Sequence, residues 1–174
     1  MPQTFVIGDI HAAALAVRQV LEKMPLQEND TLIFLGDYVD GWSQSAQVID
    51  YLIELSEQYN CIFIKGNHDV WCEEWLRTNS ANSECLLHGR RETINSYAAF
   101  NDADKLRDLN LLEQMKFYYI DSEHRLFVHA GFTSMHGPQK EFHSSDFNWN
   151  RTLWEMALAM DSTLKTNLCF IQNA

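Results

Sequence analysis

Three short apolar runs near the start of the chain each lead into a glycine and then into acidic, amide or imidazole side chains. The runs are Phe5–Ile7, Thr31–Leu35 and Cys61–Lys65, and the residues that follow them are Gly8-Asp9-Ile10-His11, Gly36-Asp37 and Gly66-Asn67-His68-Asp69. Apolar runs of this length, bounded by glycine, are typical of buried strands. Open α/β sheets place their ligand sites beyond the carboxyl ends of such strands. The pattern therefore predicts one site to which all three strand ends contribute.

The segments between these runs have the apolar spacing of helices. The first segment has an apolar face formed by Leu15, Val17, Val20, Leu21 and Met24, and Pro25 ends it. The second segment, which Ser43 or Ser45 can cap, has an apolar face formed by Val48, Ile49, Leu52, Ile53 and Leu55. The alternation of strands and helices predicts an α/β fold with a parallel sheet and right-handed crossovers.

The second half of the chain is predicted to be mostly helical and then to form a β-hairpin. Helical pieces are expected over about 70–76, 93–100 and 104–109. Phe117–Ile120 and Arg125–Val128 flank a four-residue turn and predict the hairpin, after which His129 stands at a fourth strand end. A further helix over about 152–160 and a last strand over 168–171 are also expected.

Size and charge narrow the class of protein. The 174 residues fit one domain, predicted over 1–174, and the net charge of −11 argues against nucleic acid as a partner. No apolar run reaches the length of a transmembrane helix, so no membrane partner is expected. The four cysteines form no CxxC pair, and the chain starts without a signal-peptide pattern. Reduced thiols and a cytoplasmic location are therefore predicted.

The side chains at the strand ends are those that bind divalent metal ions. Asp9 and His11, two residues apart across a turn, can reach one ion, and the two carboxylate oxygens of Asp37 can each bind one ion. Asn67 and His129 offer an amide oxygen and an imidazole nitrogen to a second ion. Oxygen and nitrogen ligation without thiolate suits Mn, Fe or Zn, and Mn is the favoured prediction for both ions.

A pair of ions suggests hydrolysis of a phosphate ester. Two ions about 3.5–4 Å apart can hold a bridging hydroxide and bind the phosphate oxygens during an in-line displacement. His68 follows Asn67 and is predicted to act as a general acid toward the leaving oxygen. Asp40, three residues after Asp37, is predicted to orient His68.

Four motifs in this order, GDIH, GDYVD, GNHD and VHAG, resemble those of the calcineurin-like metallophosphoesterases. The likeness is to the phosphoprotein-phosphatase branch, which includes small bacterial members and symmetrical dinucleoside tetraphosphatases. It implies a four-layer α-β-β-α sandwich with two mixed sheets, and a phosphomonoesterase of the Ser/Thr-phosphatase type acting on a phosphoprotein or small phosphate ester. By position, the first-metal ligands are Asp9, His11 and Asp37, the second-metal ligands are Asp37, Asn67 and His129, and the acid and its partner are His68 and Asp40.

Two departures from the family pattern concern the residues that bind the phosphate. The family's second motif usually continues with an arginine that holds the phosphate, and this chain has Gly41 there. The family often has Gly-Gly where this chain has Arg90-Arg91, which either replace the missing charge or lie on the surface. Arg151 stands about where the family has another phosphate-binding arginine, and this role is predicted for it because a guanidinium fork suits phosphate.

A third departure concerns the end of the chain. The family has a Gly-His pair after a late strand, and that histidine completes the second metal site, whereas this chain has Gln172-Asn173-Ala174. The expectation is a domain without the usual C-terminal part and strands, with a weaker second ion unless Asn173, water or a neighbouring chain fills the gap. An unpaired sheet edge would then favour a homo-oligomer.

Two other functions stay open at this point. One is hydrolysis of dinucleoside polyphosphates, for which the metals and a few arginines would serve equally well. The other is a binding or regulatory module on a phosphatase scaffold, catalytically weak because the last metal ligand is missing. Measurements of metal content and of turnover with alternative substrates distinguish these functions.

Overall fold

A parallel sheet carries the three predicted strand ends. The computed structural model describes residues 2–80 and 88–160. Its first sheet contains β1 (Thr4–Ile7), β2 (Thr31–Phe34) and β3 (Asn60–Phe63), all parallel and in the order β1-β2-β3. The carboxyl ends of parallel strands meet at one edge of a sheet. The parallel sheet and the meeting of its strand ends are therefore confirmed, and within the described residues β1 pairs only with β2.

Two helices connect these strands. The first, α1 (Ala14–Lys23), buries Ala14, Val17 and Leu21, whereas Leu15 and Val20 are exposed. The predicted apolar face was therefore wrong at these two positions, because the buried stripe follows the three- and four-residue spacing from Ala14. The second helix, α2 (Ser45–Gln58), buries four of its five predicted apolar residues, which are Val48, Ile49, Leu52 and Leu55.

Three further helices follow β3, with bounds that differ from the predicted ones. They are α3 (Asn67–Thr78), α4 (Arg90–Ser96) and α5 (Asp102–Gln114). The helix α3 begins three residues earlier than predicted, so Asn67 and His68 lie in its first turn. The Asp69 carboxylate accepts the Gly66 N–H at 2.8 Å and thereby satisfies a donor at the helix start.

The predicted hairpin is present and consists of β4 (Tyr118–Ile120) and β5 (Leu126–Val128), which pair antiparallel. In its turn, Asp121 Oδ1 accepts the backbone N–H groups of Glu123 and Arg125, each at 2.9 Å. These bonds explain the turn, because an aspartate side chain readily accepts from the backbone just ahead of it. The second strand of the hairpin delivers His129 directly after its end.

The core lies between the sheet and its helices. Leu32 and Phe34 of β2, Ile49 and Leu52 of α2 and Leu112 of α5 have no exposed surface. The thiols of Cys61 in β3 and Cys72 in α3 are free, whereas Cys85 and Cys169 lie outside the described residues. None of the helices in residues 2–80 and 88–160 is long and apolar enough to cross a membrane.

The chain divides into two compact units, Met1–His129 and Ala130–Ala174. The second unit contains a 3-10 turn (Pro138–Lys140), α6 (Asp146–Trp149) and α7 (Thr152–Met160). Within it, the Thr152 hydroxyl donates to the Phe132 carbonyl at 2.6 Å. The prediction of one domain over 1–174 stays a prediction, and the expected strand at 168–171 and Asn173 lie outside the described residues.

Candidate metal centre

The loops that follow β1 and β2 are bonded to one another at the sheet edge. The Asp37 carbonyl accepts the backbone N–H groups of Ile10 at 3.0 Å and of His11 at 2.9 Å. Three side chains predicted for the site stand on residues with left-handed backbone: φ is 48° at His11, 53° at Asp37 and 65° at Asp40. These turns direct polar side chains from two loops toward one place.

Two glycines let the loops after β2 and β3 approach closely. A Cβ added to Gly36, whose φ is 107°, would lie 2.5 Å from the Gly66 nitrogen. A Cβ on Gly66 would lie 2.9 Å from Asp37 Cγ. Only glycine fits at such distances. Gly8, in contrast, has open space where a Cβ would lie, so a close approach explains two of the three glycines at the strand ends.

The buried carboxylate of Asp69 holds these two loops together. Its Oδ2 accepts the N–H groups of Asp37 and Gly66, each at 2.8 Å, and its Oδ1 accepts the N–H of Tyr38 at 2.9 Å. Burial, and then the nearby charge of Asp37, raises the pKa of Asp69 to about 6, although the three N–H groups act in the opposite direction. Asp69 therefore fixes the backbone that carries Asp37.

The imidazole of His129 has one nitrogen bonded to the backbone and the other directed at oxygen atoms. Its Nδ1 lies 2.9 Å from the Leu35 carbonyl, which can only accept, so Nδ1 is the protonated nitrogen. The Nε2 lone pair then faces Asn67 Oδ1 at 3.2 Å and Asp37 Oδ2 at 3.5 Å. Three acceptors that converge in this way fit a cation between them.

His11 has the same arrangement and faces the same oxygen of Asp37. Its Nδ1 lies 3.3 Å from the Val39 carbonyl, and its Nε2 lies 3.9 Å from Asp37 Oδ2. The ring of His68 meets the His11 ring edge-on, with centroids 5.0 Å apart. These histidines thus surround the Asp37 carboxylate.

Two groups of three side chains have ligand atoms close enough to share a metal ion. One consists of His11, Asp37 and His68, the other of Asp9, Asp37 and His129, and the ligand atoms of each group lie within 4.8 Å of one another. Asp37 belongs to both groups. Asp9 lies with His129 here, whereas the sequence paired it with His11 on the first ion. The donor set of carboxylates, imidazoles and one amide fits divalent ions, and the ligand roles of these residues stay predictions.

His68 is hydrogen-bonded to a fully buried carboxylate. Its Nδ1 lies 2.7 Å from Asp40 Oδ2, and this hydrogen bond raises the pKa of His68 above its usual value. Asp40 Oδ1 accepts the Thr93 hydroxyl at 2.5 Å, and the Asp40 N–H donates to Ser45 Oγ at 3.2 Å. The His68 Nε2 is the ring nitrogen left for chemistry.

Several residues of this network had no predicted role. The sequence offered Ser45 as a helix cap, but its hydroxyl bonds Thr93 Oγ1 at 2.8 Å instead and helps to hold Asp40. Thr93 lies 53 positions after Asp40, a separation at which sequence spacing carries no signal. Asp69 was visible as the last residue of the GNHD motif but had no predicted role, and its position near the start of a helix is the signal that could have identified it as a backbone acceptor.

The arginines considered for phosphate binding are placed very differently. Arg90 Nε lies 3.8 Å from Asp40 Oδ2, and the Arg90 side chain is 20% exposed. Arg91 is exposed. Arg151 is exposed in the second unit, where its carbonyl accepts the Glu155 N–H of α7 at 2.9 Å. Its phosphate-binding role stays a prediction.

Solved structures with a similar fold come from phosphatases. A protein proposed to be a diadenosine tetraphosphatase matches with a TM-score of 0.60 at 18% identity, over 80% of this chain and 55% of that chain. A serine/threonine phosphatase from Saccharomyces cerevisiae, with similarity to human phosphatase PP5, matches with a TM-score of 0.55 at 16% identity, over 86% of this chain and 52% of that chain. The predicted mixed α/β fold of the metallophosphoesterase type is therefore confirmed.

Curated relatives match the same region. The asymmetrical bis(5'-nucleosyl)-tetraphosphatase PrpE of Anoxybacillus flavithermus is 29% identical over 140 residues, which are 72% of this chain and 56% of the relative. A symmetrical bis(5'-nucleosyl)-tetraphosphatase of Pseudomonas syringae pv. tomato is 30% identical over 131 residues, which are 73% of this chain and 40% of the relative. The chain spans about half the length of the curated relatives it matches.

The sequence pattern of a whole family extends along most of the chain. The family described as calcineurin-like phosphoesterase matches residues 3–166. This span includes the strand ends that carry Asp9, Asp37, Asn67 and His129. The chain belongs to the calcineurin-like phosphoesterase family.

Proposed function

We propose that this chain hydrolyses phosphate esters or phosphoanhydrides with two divalent metal ions held where the carboxyl ends of β1, β2 and β3 meet. One observation carries the proposal: Asp37 lies in both ligand groups, and a histidine of each group directs its Nε2 toward Asp37 Oδ2. Asp9, His11, Asn67 and His129 would hold the ions together with Asp37. Bound there, the ions would polarise a phosphoryl oxygen and lower the pKa of a water molecule.

His68 and Asp40 would manage the proton of the leaving group. The hydrogen bond to Asp40 holds the imidazole in one orientation and leaves Nε2 to donate to the leaving oxygen. The hydroxyls of Thr93 and Ser45 keep the carboxylate in place. This arrangement supports the predicted roles of a general acid and its orienting partner.

Two substrate classes are candidates. Dinucleoside tetraphosphates are favoured by the names of the curated relatives. Phosphomonoesters, including phosphoproteins, were the first choice from the sequence, and the solved neighbours support this class through the fold alone. We give the two equal weight, with Mn²⁺ as the first metal to test and Fe or Zn next. A cytoplasmic location and a homo-oligomer through an unpaired sheet edge stay predictions.

The first experiment compares three substrates in Mn²⁺: diadenosine tetraphosphate, a phosphoserine peptide and p-nitrophenyl phosphate. The metal content of the purified chain is measured in parallel. We expect up to two ions per chain and turnover of at least one substrate. One ion or none, together with no turnover of any substrate, would instead support a binding or regulatory module.

Two variants separate metal binding from proton transfer. Asp37→Asn removes a carboxylate shared by both ligand groups, so we expect it to lower the affinity for both ions. His68→Asn leaves the other ligand-type side chains in place and is expected to retain metal while kcat falls by about 10²–10⁴-fold. Unchanged metal content and turnover in Asp37→Asn would refute the bridging role.

A further inference from the structure

We propose that Arg90 binds an anionic group of the leaving part of the substrate, so that the site prefers polyphosphate substrates over phosphomonoesters with an uncharged leaving group. This inference rests on the proposed function, because the leaving side is defined by His68. It names a residue that determines specificity and selects between the two candidate substrate classes.

The position of Arg90 follows from a close approach of two loops. A Cβ on Gly89, whose φ is 84°, would overlap the backbone nitrogen of Gly41 and lie 3.0 Å from the Asp40 carbonyl carbon. Only glycine permits this approach, and it brings the next residue, Arg90, beside the loop that carries Asp40. Arg90 thus stands at the site through the fold, although 50 residues separate it from Asp40 in the sequence.

The guanidinium of Arg90 lies next to the proposed general acid. Asp40 Oδ2 is 2.7 Å from His68 Nδ1 and 3.8 Å from Arg90 Nε, so both side chains approach the same oxygen atom. This ion pair joins the Arg90 guanidinium to the candidate site. A leaving group that accepts a proton from His68 would therefore have the Arg90 guanidinium nearby.

The Arg90 guanidinium is held by its neighbours, but its Nε makes no hydrogen bond within the described residues. Its Cζ lies 4.8 Å from the centroid of the Trp71 ring, a cation–π contact that restrains the planar group. Nε is buried and has no hydrogen-bond partner among the described residues. At 3.8 Å the Asp40 carboxylate is an ion-pair partner rather than a hydrogen-bond acceptor. The Arg90 side chain as a whole remains 20% exposed, so part of it is open to an oxyanion of the ligand.

The chemistry of the two substrate classes differs at this point. When a phosphoanhydride is hydrolysed, the leaving group ends in a phosphate, whose oxygens suit the guanidinium fork. When an aryl or seryl phosphate is hydrolysed, the leaving group is a phenol, a phenolate or an alcohol and carries no phosphate group. Arg90 would then contribute binding energy to the first class alone.

The test compares Arg90→Ala and Arg90→Lys with Arg91→Ala, which removes the same charge from the exposed neighbour. For diadenosine tetraphosphate we expect Arg90→Ala to lower kcat/KM by about 10- to 100-fold, the value of a charged hydrogen bond. For p-nitrophenyl phosphate we expect a change below about threefold. Arg90→Lys should recover part of the loss, and Arg91→Ala should match the unsubstituted protein with both substrates.

A binding measurement separates failure of this inference from failure of the proposed function. Equilibrium dialysis with ADP and with orthophosphate, at fixed Mn²⁺, needs no turnover. We expect Arg90→Ala to weaken ADP binding by about 10-fold or more and orthophosphate binding much less. Equal losses with both substrates and both ligands would show that Arg90 only positions Asp40, and unchanged values would show that it takes no part. Either outcome overturns the inference, whereas a chain without turnover that still shows the ADP effect would overturn the proposed function alone.

Discussion

Asp69 offers a sharp test of how the loops hold Asp37 in place. Replacement by Asn keeps the shape of the side chain but leaves one acceptor oxygen instead of two. In the better orientation, that oxygen keeps the bonds from the N–H groups of Asp37 and Gly66, and the new amide NH₂ faces the Tyr38 N–H. The reverse orientation loses two bonds instead of one.

The expected magnitude follows from this count. One buried N–H without an acceptor costs about 1–3 kcal/mol. Removal of a buried charge acts in the opposite direction in the metal-free protein, so unfolding without metal reports a mixture of both effects. The affinity for metal instead reports how well the backbone of Asp37 and Tyr38 still holds the Asp37 carboxylate in place. We expect Asp69→Asn to weaken Mn²⁺ binding by about 5- to 150-fold, which is the same free energy expressed as a ratio.

The assay is calorimetric titration with Mn²⁺, with unfolding in urea with and without the ion. Asp121→Asn is a matched control, because Oδ1 alone accepts both backbone N–H groups there and Asn retains it. The control loses only an ion pair with Arg125, which solvent screens, so we expect little change in stability and unchanged metal affinity. Unaltered Mn²⁺ affinity in a folded Asp69→Asn variant would refute the reasoning.

Two further predictions concern stability. Gly66→Ala should destabilise the protein by about 1–3 kcal/mol or more in urea unfolding, because its Cβ would overlap Asp37, whereas Gly8→Ala, with open space, should change stability by less than about 1 kcal/mol. Burial raises the pKa of Asp108 to about 6, above its ordinary value. The folded protein therefore binds a proton at this carboxyl more tightly than the unfolded chain does. The contribution of Asp108 to stability becomes more favourable as the pH falls through 6. Asp108→Asn removes this term, so the stability of the unsubstituted protein minus that of the variant should rise from pH 7 to pH 5. A pH-independent difference would contradict the burial argument.

The sequence predicted the parallel sheet and the side chains at its edge because both depend on local patterns. A short apolar run followed by glycine marks a strand end wherever the strand pairs, and parallel pairing then brings Asp37, Asn67 and Asp9 to one edge. The hairpin was equally predictable from its turn. These features need no knowledge of which surfaces meet.

What the sequence did not predict depends on contacts between distant segments. The rotation of α1, which leaves Leu15 and Val20 exposed, is set by the stripe that packs on the sheet and not by the number of apolar residues. The contacts of Asp40 with Thr93 and Arg90 join the loop after β2 to α4, far away in the chain, and the close approach at Gly89 permits them. The spacing of apolar residues along the sequence does not indicate which distant segments come into contact.

The left-handed backbone at His11, Asp37 and Asp40 restricts which substitutions these positions tolerate. Outside glycine, Asp, Asn and His are the residues most often found in that conformation. The side chains that suit the chemistry are thus also among the few that suit the turns. Glutamate offers the same carboxylate at Asp37 or Asp40 but lacks this conformational aptitude. A substitution of aspartate by glutamate keeps the charge but strains the backbone. Fewer residue types are therefore tolerated at these positions than the chemistry alone would allow.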